Sequence, residues 1–585
     1  MSHIAHKSAE PHGNGADPFN ALDRSYHSVL AGLTQGISPV AGARAWFDWF
    51  AHLQMAPGKQ AELMLQAWEN ATRLSQYAVQ AAAVPDTEPG FRPSAGDRRF
   101  AGDGWKAWPY SLLAQTQLAA EQWWQSATSD VRGTARQSED LIQFGLQQML
   151  RAASPSNWLA TNPELARKTL EQGGRNLVEG MGNLTADLTR ALTGEAVDTG
   201  FEVGRNLALT PGKVVLRNRV LELIQYEPST PTVHPEPVLI VPAWIMKYYI
   251  LDLRPENSLI KFLVDRGHTV FAISWKNPTE DDRELGMEDY RRLGIMAALD
   301  AVSAILPERK VHACGYCLGG TLLSIAAAAM ARDGDDRLAS MTLFTAQTDF
   351  SEAGELTLFI NDTALSWLDS LMASKGFLDG PQMGGAFSLL RAEDMIWSPM
   401  VRHYILGEQD KPNDLMAWNA DQTRMPHRMH TEYLTGMFLH NDLAEGRYKA
   451  DGRPVALCDI SAPIFAVGTA KDHVAPWHSA FKIHLFTRTE VTFVLASGGH
   501  NAGIVADPGR PGRNYQVMTR GVTDRYVDPD RWAATAPRRE GSWWLEWQSW
   551  LAGHSGPQVA PPAMGAAQAG YTPLCDAPGD YVRER

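Results

Sequence analysis

Cysteine, aspartate and histidine stand in this chain at positions that suit covalent acyl chemistry. The segment Gly315-Tyr316-Cys317-Leu318-Gly319-Gly320 has the pattern Gly-x-Cys-x-Gly, with sulfur where a serine nucleophile usually sits. Residues 310–314 before it read as a buried strand, and the alanine-rich run after Gly320 reads as a helix. A strand that turns directly into a helix strains the residue at the turn and exposes its side chain, while flanking glycines let the two elements approach. Cys317 then stands at a helix N-terminus, where free N–H groups and the helix dipole favour negative charge. Two other readings are a small buried cysteine in a glycine-rich turn and, with Cys314, a Cys-x-x-Cys redox pair. The redox reading is the weaker, because Cys314 falls on the strand with its side chain turned inward instead of opening a helix.

Asp472 follows an expected strand at 463–468, and His500 follows another at 491–496 in Ser497-Gly498-Gly499-His500. Nucleophile, acid, then histidine is the chain order of an α/β-hydrolase triad, with the histidine after the last strand. Cys317, Asp472 and His500 are therefore the candidate catalytic set, with Asp349 as the alternative acid and His473 read as structural. The oxyanion is expected at the backbone N–H of Leu318 and at a second N–H around Trp244 and Ile245, in the loop after strand 237–241. A thiol nucleophile suits transfer of an acyl group from a thioester to a hydroxyl. Exchange of one thioester for another is nearly balanced in energy and keeps the acyl group reactive. His427, His430 and His440 have neither accompanying cysteines nor an HExxH pattern, so no metal is expected.

The elements that must position these groups alternate between strand and helix. After Thr210-Pro211-Gly212, strands are expected at 214–223, 237–241, 268–275, 310–314 and 338–345, with helices at 257–266 and 287–306 between them. Such alternation implies a parallel sheet covered by helices, so the fold class is α/β, an α/β-hydrolase fold. From 349 to 459 the alternation stops, and this insertion is expected to lie over the elbow as a lid. A Trp-rich helix at 542–552 follows the last strand, and the tail from Gly553 is expected to run over the surface. Upstream, residues 1–20 read as disordered and 21–202 as a mainly helical N-terminal domain, leaving 203–585 as the catalytic domain. Leu63, Ala67, Ala71, Leu74 and Ala78 recur on one helix face. Trp46, Trp49, Trp68, Trp105, Trp108, Trp123, Trp124 and Trp158 are either helix-packing residues or a surface for an apolar particle.

Composition narrows the class further. The 585 residues are 44% hydrophobic and 20% charged with a net charge of −13, which argues against nucleic acid as a partner. Four cysteines in this length are not a disulfide framework, and a catalytic thiol requires a reducing compartment. The polar start carries no apolar secretory stretch, and the longest apolar run is about half of the ~20 residues that span a bilayer. No transmembrane segment and a cytoplasmic location are expected.

With these residues assembled, the sequence resembles the polyhydroxyalkanoate synthases, in the long single-subunit (class I-like) form. The resemblance rests on the 315–320 box, on Lys247-Tyr248-Tyr249-Ile250-Leu251-Asp252-Leu253 with Pro255-Glu256-Asn257-Ser258, and on Ile273-Ser274-Trp275-Lys276-Asn277-Pro278. Trp418-Asn419-Ala420-Asp421, Asp472-His473, Gly499-His500 and Asp576-Ala577-Pro578-Gly579 extend it. It implies an acyltransferase that polymerises (R)-3-hydroxyacyl-CoA, with 3-hydroxybutyryl-CoA the expected unit, onto a growing polyester chain with release of CoA. It also implies an acyl-Cys317 intermediate, no cofactor, a homodimer and action at polyester granule surfaces. Trp418, Asp252 and Tyr249 become substrate-binding candidates, and Lys247, Arg254 and Lys261 candidates for the CoA phosphates. Pro242-Ala243 stands where the family has Pro-Pro, and Cys314 before the box is unusual. The rival readings are a Cys-dependent thioesterase or intracellular polyester depolymerase of the same fold, and a non-enzymatic granule coat built on the Trp-rich helices.

Overall fold

In the computed structural model the described residues run from 37 onward except 85, 86, 95, 194–198, 391 and 410, with isolated residues between 19 and 34. The expected disordered stretch, 1–20, therefore lies outside the described residues apart from Phe19. The helical region comprises α1 (Pro39–Gln54), α2 (Pro57–Ala83), α3 (Tyr110–Ala127), α4 (Arg136–Ala152), α5 (Pro163–Glu171) and α6 (Arg175–Thr193). Its cores are small: Ala45, Trp49, Val131, Ile142 and Leu146 form one, and Phe91, Leu118 and Ala119 another. The face that α2 turns to α3 differs from the periodicity reading. Leu63, Asn70 and Tyr77 are buried, whereas Ala67 and Ala71 are exposed. Alanine places few constraints on a helix's rotation. Here Asn70 Nδ2 donates to Ala119 O at 3.4 Å and Trp123 Nε1 to Leu63 O at 3.0 Å. Of the eight tryptophans, Trp49 and Trp105 are buried, while Trp46, Trp68, Trp108 and Trp158 are exposed.

Mainly apolar runs build the centre of one sheet of eleven strands. In chain order they are β1 (Gly212–Arg217), β2 (Leu221–Tyr226), β3 (Val238–Val241), β4 (Val270–Trp275), β5 (Val311–Tyr316) and β6 (Leu338–Phe344). β7 (Ile464–Thr469), β8 (Val491–Ala496), β9 (Asn514–Arg520), β10 (Arg538–Glu540) and β11 (Cys575–Asp576) complete it. The spatial order is β10-β9-β8-β7-β6-β5-β3-β4-β2-β1-β11. The centre, from β4 through β3, β5, β6 and β7 to β8, is parallel. β3, β4, β5, β7 and β8 are buried at every residue, as parallel strands covered on both faces must be. Alternate side chains feed two cores. Leu239, Val241 and Ala313 face the side of α7 (Leu318–Asp333), while Val238, Ile240 and Cys314 face that of α8 (Trp544–Gly553).

Three expectations change. The strand read at 214–223 is a hairpin, β1 and β2, turned at Asn218, whose Oδ1 accepts from Val220 N at 2.9 Å and Leu221 N at 3.1 Å. His500 does not follow the last strand, because β9 and β10 extend the sheet antiparallel beyond β8. The tail is not a surface strap throughout: β11 pairs with β1, Val582 is 1% exposed, and Lys247 Nζ donates to Glu584 O at 2.7 Å.

Between β6 and β7 the chain forms short helices and turns that lie over Cys317. The N-terminal helices dock on this segment. Asn176 Nδ2 donates to Ile405 O and Asn183 Nδ2 to His403 O, both at 2.9 Å, and Phe144 meets Phe359 edge-on at 5.5 Å. Among the described residues no helix is long and apolar enough to cross a membrane.

Candidate active site

Cys317 joins β5 to α7 with φ 52° and ψ −121°, a left-handed conformation that a non-glycine residue adopts only where its surroundings impose it. Glycines make this turn possible. A methyl carbon at Gly315 would lie 2.4 Å from Gly320 Cα, and one at Gly319 would lie 2.1 Å from Val241 O. The Cys317 N–H donates to Phe344 O at 2.8 Å, which pins the turn to β6. Leu318 is the first residue of α7, where a backbone N–H has no intrahelical acceptor.

Asp472 and His500 leave the ends of β7 and β8 and meet beside this turn. His500 Nδ1 lies 2.8 Å from Asp472 Oδ2, and Cys317 stands close enough to the His500 ring to favour its charge. The Asp472 carboxylate is fully buried, accepting from Val474 N and Ala475 N at 2.9 Å each and from Thr469 Oγ1 at 3.1 Å. Burial works to raise its pKa, but His500 and these donors together hold it below the usual carboxylate range. Burial likewise opposes charge on His500, yet Asp472 and Cys317 outweigh it and push the imidazole up to about 10. Tyr316 stacks on the ring with centroids 5.8 Å apart, a contact that nothing in the sequence announced beyond its place in the box.

Asp349 is turned elsewhere: its carboxylate accepts from Ser351 N at 2.8 Å and meets Lys482 Nζ at 3.3 Å. Cys314 is 1% exposed on the opposite core, burial pushes its thiol pKa well up, and it forms no disulfide with Cys317. The three lid histidines do not gather. His427 Nε2 bonds Asp369 at 2.6 Å, His440 lies by Asp442, and His430 is buried in the lid near His427.

Two cavities meet at Cys317, and both have Ile245 in the wall. The larger, about 1860 Å³, is of a size to take a coenzyme. Trp418 and Tyr249 line it. Trp418 Nε1 donates to Lys247 O at 2.7 Å and Tyr249 OH to Asp421 Oδ2 at 2.9 Å. Asp252 is not brought to either cavity. It lies behind the wall, 2% exposed, accepting from Thr210 Oγ1 at 2.5 Å and Ser258 Oγ at 2.6 Å, and burial raises its pKa to about 6. Of the cations named for CoA, Lys247 lines the larger cavity but is tied to the tail carbonyls. Arg254 pairs with Asp414 and Lys261 with Asp265, both away from the cavity wall. The basic groups that reach it are instead Arg205, Arg424, Arg583 and Arg585, two of them from the tail. The smaller cavity, about 200 Å³, lies under the lid and is walled by Leu318, Leu371, Met425, Leu434 and Phe438, with Ala41, Gly42 and Leu141 from the N-terminal helices. Its wall combines residues from three distant parts of the chain, so no local pattern announced it. Ile245 is the better placed of the two residues named for a second oxyanion donor. Trp244 is buried in neither wall, its Nε1 on Met425 Sδ at 3.3 Å.

Comparison with known proteins agrees with this arrangement. Residues 236–507 match the family described as alpha/beta hydrolase fold, and with the sheet order they establish that fold. Residues 17–59 match the family described as Poly-beta-hydroxybutyrate polymerase N terminal, and 96–263 that described as Poly-beta-hydroxybutyrate polymerase (PhaC) N-terminus. The chain is 38% identical to the poly(3-hydroxyalkanoate) polymerase of Methylorubrum extorquens over 99% of its own length and 94% of that protein's. It is 40% identical to the poly(3-hydroxyalkanoate) polymerase subunit PhaC of Rhizobium meliloti, covering 84% of this chain and 80% of the relative. The Cupriavidus necator polymerase subunit is 35% identical over 92% of this chain and 90% of its own. At these identities over nearly the whole length, the chain belongs to the poly(3-hydroxyalkanoate) polymerase family.

Proposed function

We propose that this acyltransferase polymerises (R)-3-hydroxyacyl-CoA, with 3-hydroxybutyryl-CoA as the preferred unit, through an acyl-thioester on Cys317. The observation that carries the reading is the junction of a coenzyme-sized cavity and a smaller, mainly apolar one at a cysteine beside the hydrogen-bonded His500–Asp472 pair. In the first half-reaction His500 takes the Cys317 proton and the sulfur attacks the thioester carbonyl. The oxyanion is held by the N–H of Leu318 and that of Ile245, and collapse expels CoA with the proton from His500. In the second half-reaction the 3-hydroxyl of an incoming unit gives its proton to His500 and attacks the acyl-Cys carbonyl. An ester forms, the C–S bond breaks, and the thiol is restored. Asp472 keeps the ring oriented and offsets its positive charge. Each turn exchanges a thioester for a more stable ester, which drives growth, and the lid keeps water from the acyl-enzyme.

CoA enters as part of the substrate and leaves as product, so the reaction as read here requires neither metal nor cofactor. Trp418 and Tyr249 would contact the incoming thioester. The exposed Trp46, Phe47, Phe50 and Trp68 suit adsorption to an apolar polymer surface, which supports action at polyester granules, with a homodimer as the active form.

The test is purified protein with (R)-3-hydroxybutyryl-CoA, following free CoA and insoluble polyester together. Both should appear, and Cys317→Ala should lower CoA release about 10³-fold or more without loss of fold. Free 3-hydroxybutyrate in place of polymer would make the protein a thioesterase.

A further inference from the structure

The wall of the larger cavity has the opposite sign to the chain. The protein carries a net charge of −13, yet Arg205, Lys247, Arg424, Arg583 and Arg585 line this cavity against the carboxylates of Glu202, Asp379 and Asp421. Several of these charges are engaged. Arg424 stands over the Phe377 ring at 4.8 Å and lies 3.9 Å from Asp379, Asp421 accepts from Tyr249 OH, and Lys247 Nζ donates to the carbonyls of Tyr581 and Glu584. Arg205 meets Glu202 at 3.4 Å on the surface, where such a pair contributes little. Arg583 and Arg585 are exposed, and among the described residues their guanidinium groups have neither an ion pair nor a hydrogen bond.

The backbone that carries these two arginines is held firmly. Glu222, 0% exposed, accepts from Asp580 N at 2.9 Å and Tyr581 N at 3.0 Å, Tyr581 OH donates to Asn218 O at 2.8 Å, and Val582 is buried. Beyond Val582, Lys247 Nζ donates to Glu584 O at 2.7 Å and Asn277 N to Glu584 Oε2 at 2.9 Å. The one carboxylate between the two arginines is thus taken by the fold. The Arg583 guanidinium lies against Gly204, also in the cavity wall, where a methyl carbon would come 2.5 Å from Nη2. Arg585 stands close enough to Asp421 and Tyr249 to act on the charge of both. Arginines on a loose tail would be solvated surface charge. On a backbone fastened to the wall of the cavity that holds Cys317, they are preset for an anion.

In the reaction read above the anion that enters this cavity is the coenzyme, whose diphosphate and 3′-phosphate carry its charge while its pantetheine arm carries none. We propose that Arg583 and Arg585 bind the phosphates of the coenzyme, with Arg205, next to the glycine that Arg583 covers, as the third cation. The tail is then the phosphate end of the larger cavity, and the pantetheine arm runs from it past Tyr249 and Trp418 to Cys317. A guanidinium suits this role because its planar N–H groups match two phosphate oxygens at once. Lys247 is a positioning residue that fastens the tail from behind and touches no phosphate.

This inference rests on the CoA-thioester reading, and the test separates the two. On full-length protein, kcat/KM is measured with (R)-3-hydroxybutyryl-CoA and with the same acyl group on pantetheine, which lacks every phosphate, and calorimetry compares binding of free CoA and pantetheine. The wild type should prefer the CoA thioester at least about 100-fold and bind CoA the more tightly. Arg583→Gln with Arg585→Gln should lose at least about 10-fold of that preference, through KM and not kcat, and the rise of KM with salt should become shallower. Lysine at both positions should keep part of it. Lys261→Gln removes a positive charge away from the cavity wall and should leave the preference unchanged. A double Gln variant with the wild-type preference would overturn the proposal, as would a Lys261→Gln protein that loses as much. If the wild type releases no thiol from either thioester, the polymerase reading fails; CoA bound more tightly than pantetheine, with the difference lost in the double Gln variant, would still uphold the phosphate site, and equal binding of the two would overturn it.

Discussion

Around Cys317 the chain is held backbone against backbone, whereas helices α1–α6 keep small separate cores and meet the rest of the protein largely through side-chain amides. Gly315, Gly319 and Gly320 each leave no space for a methyl group, and strands β3 and β5 at the turn are wholly buried. The N-terminal side relies on Asn176, Asn183 and Gln137 reaching carbonyls of the lid, and on the Lys168–Glu408 ion pair. One contact there has the tightness of the elbow: a methyl carbon at Gly180 would lie 2.0 Å from Tyr404 O. The contrast teaches that a nucleophile at a strained turn requires a rigid frame. A helical region resting on a lid is joined largely by side-chain contacts that can be remade, and such contacts open at lower free energy than a core.

Equal steric insults at the two places should therefore have unequal effects. Gly319→Ala puts a methyl carbon 2.1 Å from Val241 O, inside the sheet core. It should destabilise the protein by about 3 kcal/mol or more and abolish CoA release, read by thermal unfolding and by a thiol reagent. A folded, active Gly319→Ala protein would mean that the elbow is looser than its geometry requires.

Asp472→Asn tests the electrostatics of the rigid side. The shape is kept, but the charge that helps hold the His500 pKa near 10 is removed, and CoA release should fall by about 10²- to 10⁴-fold. The raised His500 pKa stabilises the folded wild type fully below the ordinary value of 6.5, and this contribution is lost as pH rises through about 10. The Tm advantage of wild type over Asp472→Asn should therefore shrink steadily between those two values. An advantage that stays constant with pH would show that Asp472 does not set the charge on His500.

The smallest effect is expected from Gly180→Ala. It should release α6 from the lid while leaving the main unfolding transition within a few degrees of wild type. Limited proteolysis should then cut faster near 401–409, where α6 packs on the lid in the intact protein. If Gly180→Ala lowered the main transition as far as Gly319→Ala, the helical region and the sheet would have to be regarded as one cooperative unit.

The parts read correctly from sequence share a physical cause. β3, β4, β5 and β8 are covered on both faces, so each appears as a mainly apolar run, and the cysteine box announces a turn that only glycine-flanked residues can make. β9 and β10 were missed because an edge of the sheet needs no apolar run: Arg538, Arg539 and Glu540 are all exposed and pair through the backbone alone. The β1–β2 hairpin was read as one strand because its turn, at Asn218 and Arg219, interrupts the apolar run only briefly. The tail looked like a strap because Pro, Ala and Gly carry little pattern, yet Val582 and the Lys247–Glu584 bond anchor it at the larger cavity.

Asp252 and His430 mark the limit. Both are polar residues in apolar surroundings; the sequence offers the first as a substrate contact and groups the second with His427 and His440, where no metal is expected. Only packing decided that Asp252 turns away to satisfy Thr210 and Ser258, and that His430 joins the wall of the smaller cavity. The sequence by itself determined the order of strands at the centre, the turn that carries Cys317, and which acid and histidine follow which strand, because backbone sterics and burial write those into local pattern. Which acid His500 chooses and how the N-terminal helices wall a chamber beside the sulfur were decided by tertiary structure. Each depends on side chains brought together from segments hundreds of residues apart.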